Sequence, residues 1–333
     1  MSDVTRRPLW ALRAVVTGGA GFVGSWVCER LLRLGAHVVS LDNHSTGGPE
    51  NLEHLLGHPR LETLQVDVCE GLPVSGPVDW VLHLASPASP ADYLRLPVET
   101  LRAGSLGTQN ALDLAGEKQA RFVLASTSEV YGDPLEHPQR ETYWGNVNPV
   151  GPRAVYDEAK RYAEALTTAY RSARGVNTGI VRIFNSFGPR MRLEDGRAVP
   201  TFLRQALCEE PLTVFGDGSQ TRSLCYVEDT VEGILAMARC NDPGPVNVGG
   251  SEETSLLDLA ETVLRMTGSS SPVDLVDLPQ DDPKVRRPDL TRAREVLGWE
   301  QRVSVAEGLE RTLAWAEEQL RPRTRALRPR RPA

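Results

Sequence analysis

Short apolar runs alternate with helix-period stretches through the first 184 residues. Arg13 to Thr17, His37 to Leu41, Leu61 to Val66, Trp80 to Leu84, Phe122 to Ala125 and Val176 to Arg182 have the length and make-up of strands, most of them buried on both faces. Between them, Ser25 to Leu34, Pro97 to Leu114 and a stretch opening near Tyr156 carry helical patterns, the second interrupted by Gly104 and Gly107. Beyond Phe184 the alternation becomes irregular, and glycine and proline mark many turns. Val199 to Cys208, Val231 to Ala238, Ser255 to Met266, Leu290 to Leu297 and Val305 to Leu320 read as helices; Leu212 to Phe215 and Pro245 to Val248 read as short strands.

That order predicts an α/β fold: a Rossmann-type doubly wound parallel sheet with a smaller C-terminal α/β substrate domain. The expected division is 13–184 for the first domain and 185–320 for the second. The last thirteen residues, RPRTRALRPRRPA, hold six arginines and no acid, so 321–333 is expected to be a disordered basic tail.

Composition narrows the function. The 333 residues carry a net charge of −7, so the chain without its tail stands at −13, which argues against nucleic-acid binding as the main role. Cys28, Cys69, Cys208, Cys225 and Cys240 fit no disulfide framework and are expected to be reduced thiols of a cytoplasmic protein. No CxxC occurs, and His54 and His58 lack the glutamate of a zinc helix, so no metal site is expected. No apolar stretch reaches membrane-spanning length, and MSDVTRRPLW lacks a signal-peptide core.

Two constellations carry chemistry. Gly18-Gly19-Ala20-Gly21-Phe22-Val23-Gly24 lies between a strand and a helix, where missing side chains let the backbone approach a pyrophosphate. Asp42 ends the next strand, where a carboxylate binds a ribose 2′-hydroxyl and repels a 2′-phosphate; NAD is favoured over NADP, with Asn43 in the same loop. Ser126-Thr127-Ser128-Glu129 follows the strand at Phe122, the sheet end where ligands sit. Tyr156 and Lys160, four apart, share one helix face. Free tyrosine has a pKa of about 10, so work as a base near neutrality needs roughly 4 kcal/mol of phenolate stabilisation. Lys160 and a cationic nicotinamide ring are expected to share that task.

STSEVYGDP, HPQRETYWGNVNP and YDEAKR resemble the extended short-chain dehydrogenase/reductase family, and within it the UDP-glucuronate decarboxylase (UDP-xylose synthase) group. The resemblance runs from about Ala14 to Leu320. It implies a homodimer joined through a helix bundle and a UDP-sugar substrate. It places Asp67 and Val68 at the adenine edge, although Asp67 also reads as a turn cap. It places Leu84 and Ala85 over the cofactor, and Pro87, Tyr93, Asn185, Arg190, Arg222, Tyr226 and Arg286 toward the sugar nucleotide. Family members commonly interleave the two domains.

The reaction implied is oxidation at C4, loss of carbon dioxide from the resulting β-keto acid, and re-reduction. Related 4,6-dehydratases use an Asp-Glu pair to expel water; Ser128-Glu129 stands there instead. Tyr156 acts as base, Lys160 supports it, Thr127 positions the C4 hydroxyl, and Arg222 contributes charge. Glu129 is left as either a carboxylate that repels the substrate's own or a protonated hydrogen-bond partner. Relatives carry arginine at Gly48 and asparagine at Gly104; their loss implies a looser site and some escape of UDP-4-keto-xylose. A 4-epimerase, a 4,6-dehydratase and a non-catalytic NAD-bound scaffold are the competing readings.

Overall fold

The computed structural model describes residues 8–278 and 285–321; the expected tail beyond Arg321 and the acidic Asp281-Asp282-Pro283 lie outside the described residues. In chain order the first part contains β1 (Arg13–Thr17), α1 (Phe22–Arg33), β2 (His37–Asp42), β3 (Leu61–Gln65), β4 (Trp80–His83), α2 (Pro90–Arg95), α3 (Pro97–Arg102), α4 (Thr108–Lys118), β5 (Arg121–Thr127), α5 (Ala154–Arg174) and β6 (Thr178–Ile183). The second part contains β7 (Ser186–Phe187), α6 (Ala198–Leu207), β8 (Leu212–Phe215), β9 (Thr221–Arg222), β10 (Cys225–Tyr226), α7 (Val227–Arg239), β11 (Val246–Val248), β12 (Thr254–Ser255), α8 (Leu256–Thr267), β13 (Val273–Val276), β14 (Val285–Arg286) and α9 (Val305–Leu320).

Seven parallel strands form the main sheet in the order β11-β6-β5-β4-β1-β2-β3. The order reverses at β1, and a doubly wound sheet opens its ligand crevice beyond the carboxyl ends at that point. Successive residues of one strand go to opposite faces, and both are covered. Ala14 and Val16 join the core that includes Leu31 and Ile234, whereas Val15 joins the one that includes Leu112 and Ile180. This is why the strands read as continuous apolar runs rather than alternating ones. β11, from beyond Phe184, supplies the outermost strand next to β6, so the chain returns to the first sheet late.

Two elements differ from expectation. The helix expected from Pro97 to Leu114 runs as α3, a π-helical turn at Ala103–Gly107, and α4. Gly104 does not loosen this segment. A Cβ added there would lie 2.7 Å from that of Ala159 on α5, so the absent side chain is what lets the two segments touch. Leu290 to Leu297 likewise ends in a π turn, Ala293–Leu297.

Candidate active site

At the crevice the turn after β1 packs directly on the end of β4. Gly18 has φ +69°, and a Cβ on it would lie 2.8 Å from the Ala85 backbone nitrogen. A Cβ on Gly24 would lie 2.0 Å from the Gly18 carbonyl oxygen, so only glycine keeps α1 this close to the turn. Asp42 accepts hydrogen bonds from the backbone N–H of Ala20 (2.9 Å) and of His44 (2.8 Å), tying the end of β2 to the same turn. Asp67 caps its own turn, accepting from Cys69 N–H at 2.8 Å, and also receives the Asn43 amide at 3.1 Å. All of these except Ala20 and His44 line one cavity of about 840 Å³, together with Gly21, Phe22, Val23, Val68 and Leu84.

The reacting groups stand at the other end of that cavity. β5 finishes at Thr127, whose Oγ1 accepts from the Glu129 N–H at 3.2 Å and whose hydroxyl also meets the Tyr156 phenol. Tyr156 and Lys160 come from the start of α5, both buried. The Lys160 Nζ donates to the Ala125 carbonyl at 2.9 Å and lies 5.8 Å from the Tyr156 ring centroid. Burial lowers the Lys160 pKa to about 8, because an ammonium loses its water there. The expectation for Tyr156 is reversed in the protein alone: burial, then the Glu129 charge, push the phenol above its ordinary value.

Glu129 is clamped. Arg153 Nη2 donates to it at 2.7 Å, and Arg286 reaches both carboxylate oxygens. Burial alone would raise its pKa, but the two guanidinium groups overcome this and hold it well below the usual carboxylate range. Of the two states left open by the sequence, the geometry selects the carboxylate. Next to Tyr156, Asp157 is pushed up to about 7 by burial and then by Glu129.

Residues 14–249 match the model of the NAD dependent epimerase/dehydratase family. The chain belongs to that family. Among curated relatives, UDP-glucuronic acid decarboxylase 1 of Arabidopsis thaliana is 50% identical over 303 residues, covering 91% of this chain and 69% of the relative. UDP-glucuronic acid decarboxylase 3 of the same plant is 48% identical over 299 residues, covering 90% and 87%. Among solved structures, the UDP-glucuronic acid 4-epimerase of Bacillus cereus, in complex with UDP-glucuronic acid and NAD, superposes with TM-score 0.82 at 28% identity, covering 92% of this chain and 100% of that one.

For a member of the NAD dependent epimerase/dehydratase family the cofactor is NAD, and the residues present fit it. The glycine turn is a cradle that any Cβ would fill, and Asp42 puts a carboxylate at the end of β2 beside that turn, a donor set that suits a ribose hydroxyl. Of the expected substrate residues, Pro87, Tyr93, Arg222 and Arg286 line the same cavity, with Ser128. Asn185 lines it too, with its buried side-chain nitrogen making no hydrogen bond, a donor poised for a ligand oxygen. Arg222 and Arg286 are register partners on β9 and β14. Arg286 is nevertheless committed to Glu129.

One expected substrate residue stands outside the cavity and another at its side. Tyr226 is 1% exposed and does not reach the cavity; β10 pairs with β7, and its ring packs edge-on against Trp26 and Phe187. Arg190 lines the cavity but at the side of α1, stacked 4.3 Å from the Trp26 ring and paired with Glu29. Sequence reading passed over Arg153, Asp157, the Arg197–Asp195 pair (2.5 and 2.9 Å) and Asp92, which joins Ser89 at 2.8 Å and Arg192. Arg153, one helical turn before Tyr156, was detectable by spacing; the others had no local signal.

Proposed function

We propose that this protein converts UDP-glucuronate to UDP-xylose, oxidising C4, releasing carbon dioxide and reducing C4 again. The observation that carries the reading is the pairing of the Glu129 carboxyl with both Arg153 and Arg286, next to Ser128, an arrangement that favours the carboxylate. A carboxylate so held has no proton to give a leaving hydroxyl, so elimination of water lacks its acid. The names of the curated relatives support the same choice.

NAD, held by the glycine turn and Asp42, would supply the hydride acceptor and later the donor. Thr127 holds the C4 hydroxyl, and Tyr156 takes its proton as C4 is oxidised. Loss of carbon dioxide sends the C5–C6 electron pair toward the C4 oxygen, to which Tyr156 returns the proton. As the enol returns its O–H proton to Tyr156, C5 takes a proton from solvent water; reduction of the C4 ketone then uses hydride at C4 and the Tyr156 proton at the C4 oxygen. Lys160, fixed by the Ala125 carbonyl, keeps a cation under the phenol; Asn185 and Arg222 hold the diphosphate.

A cytoplasmic homodimer is part of this reading. The five cysteines are free thiols. Leu94, Val98, Leu101, Leu106 and Tyr162 form exposed apolar surface on α2, α3, the π turn and α5. Among the described residues no helix is long and apolar enough to cross a membrane.

Pure protein given UDP-glucuronate should yield carbon dioxide and UDP-xylose by NMR, with any UDP-4-keto-xylose visible in the same spectrum. Return of a C4-epimerised UDP-uronate, or loss of water from dTDP-glucose with UDP-glucuronate untouched, would refute the assignment. Tyr156→Phe should cut turnover by about 100-fold or more, the scale of a lost general base, with NAD still bound.

A further inference from the structure

Three successive residues at the end of β5 are each held by a different residue of α5. Thr127 meets the Tyr156 phenol, the Ala125 carbonyl accepts from Lys160 Nζ at 2.9 Å, and Ser126 Oγ donates to Glu164 Oε1 at 2.6 Å. Lys160 and Glu164 stand about one and two helical turns beyond Tyr156, on the same face of α5. Glu164 stands behind the cavity lining rather than in it. It is held there by Arg182 of β6, the register partner of Ser126. Arg182 Nε donates to Oε1 at 2.9 Å and Nη2 to Oε2 at 2.7 Å. Arg182 Nη1 also donates to the Tyr131 hydroxyl at 2.8 Å, and that hydroxyl donates to Asn247 Oδ1 at 2.8 Å. Tyr131 closes the turn Ser128–Tyr131 that carries Glu129.

We propose that Glu164, held by Arg182, is the positioning residue that seats Tyr156 and Lys160 against the end of β5, resting on the reading of Tyr156 as the base for the C4 hydroxyl. Lys160 alone would not fix that seat. Its flexible four-carbon stem lets one hydrogen bond to Ala125 survive a sliding helix. The Glu164 carboxylate accepts three hydrogen bonds from two strands, so it cannot slide without breaking them. A shift of about 1 Å between a base and the group it serves costs about 100-fold in rate. The carboxylate also acts on Lys160 through charge. Lys160 faces Tyr156 and Glu164 on its own helix and His83 of β4. Burial keeps His83 neutral, so the Glu164 carboxylate is what favours the Lys160 ammonium.

The test is steady-state kinetics of two variants across pH. Ser126→Ala removes one grip and leaves the Glu164–Arg182 pair whole. It should lower kcat about fivefold or more, with KM for the sugar nucleotide and the affinity for NAD unchanged. Glu164→Gln keeps an oxygen for the Ser126 hydroxyl but takes the negative charge away from Lys160 and Arg182. It should lower kcat as well. Losing a carboxylate lowers the pKa of a nearby ammonium, so the alkaline decline of turnover should move toward neutral pH in Glu164→Gln and stay in place in Ser126→Ala. An unchanged kcat in Ser126→Ala, or a loss confined to KM, overturns the role, whether or not the glutamine variant folds. So does an unmoved alkaline decline in Glu164→Gln. The kinetics are run on whichever nucleotide sugar the unsubstituted chain turns over. UDP-glucuronate left untouched by that chain overturns the reaction assignment; equal kcat of Ser126→Ala and the unsubstituted chain on the accepted sugar overturns the positioning role.

Discussion

Tyr93 lies flat on Tyr156, ring centroids 5.3 Å apart and planes 5° from parallel. The stack joins α2 to the start of α5 and is buried on both sides, Tyr93 being 2% exposed. A rotating phenol would have to break it, so Tyr93 helps to hold the base in its reacting orientation.

Removing that ring should therefore show in turnover. Tyr93→Leu should lower kcat by roughly 2–10-fold, the value of an aromatic pair beyond its area. Tyr93→Phe keeps the stack and should keep kcat, so any loss should appear in KM through the missing hydroxyl. Steady-state kinetics of the two variants separate the roles; equal loss of kcat in both would remove the stack from the account.

Lys160 sets a limit on the alkaline side. Its folded pKa is lowered from 10.5 to about 8 by burial, so turnover should decline as pH rises through that value. The stability sign is the opposite. The unfolded chain binds the extra proton between about 8 and 10.5, so wild type should gain stability relative to Lys160→Met across that window. Melting curves of the two proteins from neutral to alkaline pH check it.

Glu129→Gln leaves Arg153 and Arg286 without their carboxylate. Breaking a buried ion pair from one side costs about 3–5 kcal/mol, so a clear fall in Tm at neutral pH is expected along with loss of carbon dioxide release. Because the folded pKa of Glu129 is depressed, its contribution is present above the ordinary carboxylate pKa and is lost only as pH falls through the depressed value. The Tm difference between the two proteins should thus persist under mildly acidic conditions.

Gly104→Asn adds the side chain that the family resemblance implies at this position, yet here it should destabilise. The added Cβ would meet both the Cβ of Ala159 at 2.7 Å and its carbonyl oxygen at 2.8 Å. Overpacking of this kind costs about 1–3 kcal/mol, and thermal unfolding should show it. A neutral or stabilising result would mean that α5 yields at this contact.

The sequence by itself determined the strands of the main sheet, the glycine turn with Asp42, and Tyr156 with Lys160. Each is a local signal: an apolar run of strand length, a fixed spacing after a strand, two residues one helical turn apart. It also located Glu129 at a strand end, but not its charge. Only the tertiary structure brought Arg153 and Arg286, 24 and 157 residues away, onto that carboxylate. It also turned Tyr226 into the core, and it made Gly104 a contact rather than a gap. The reason is physical. A carboxyl's protonation depends on its burial and on charges delivered by distant segments, and a ring's exposure depends on which strand it pairs with; neither quantity is contained in any short stretch of chain.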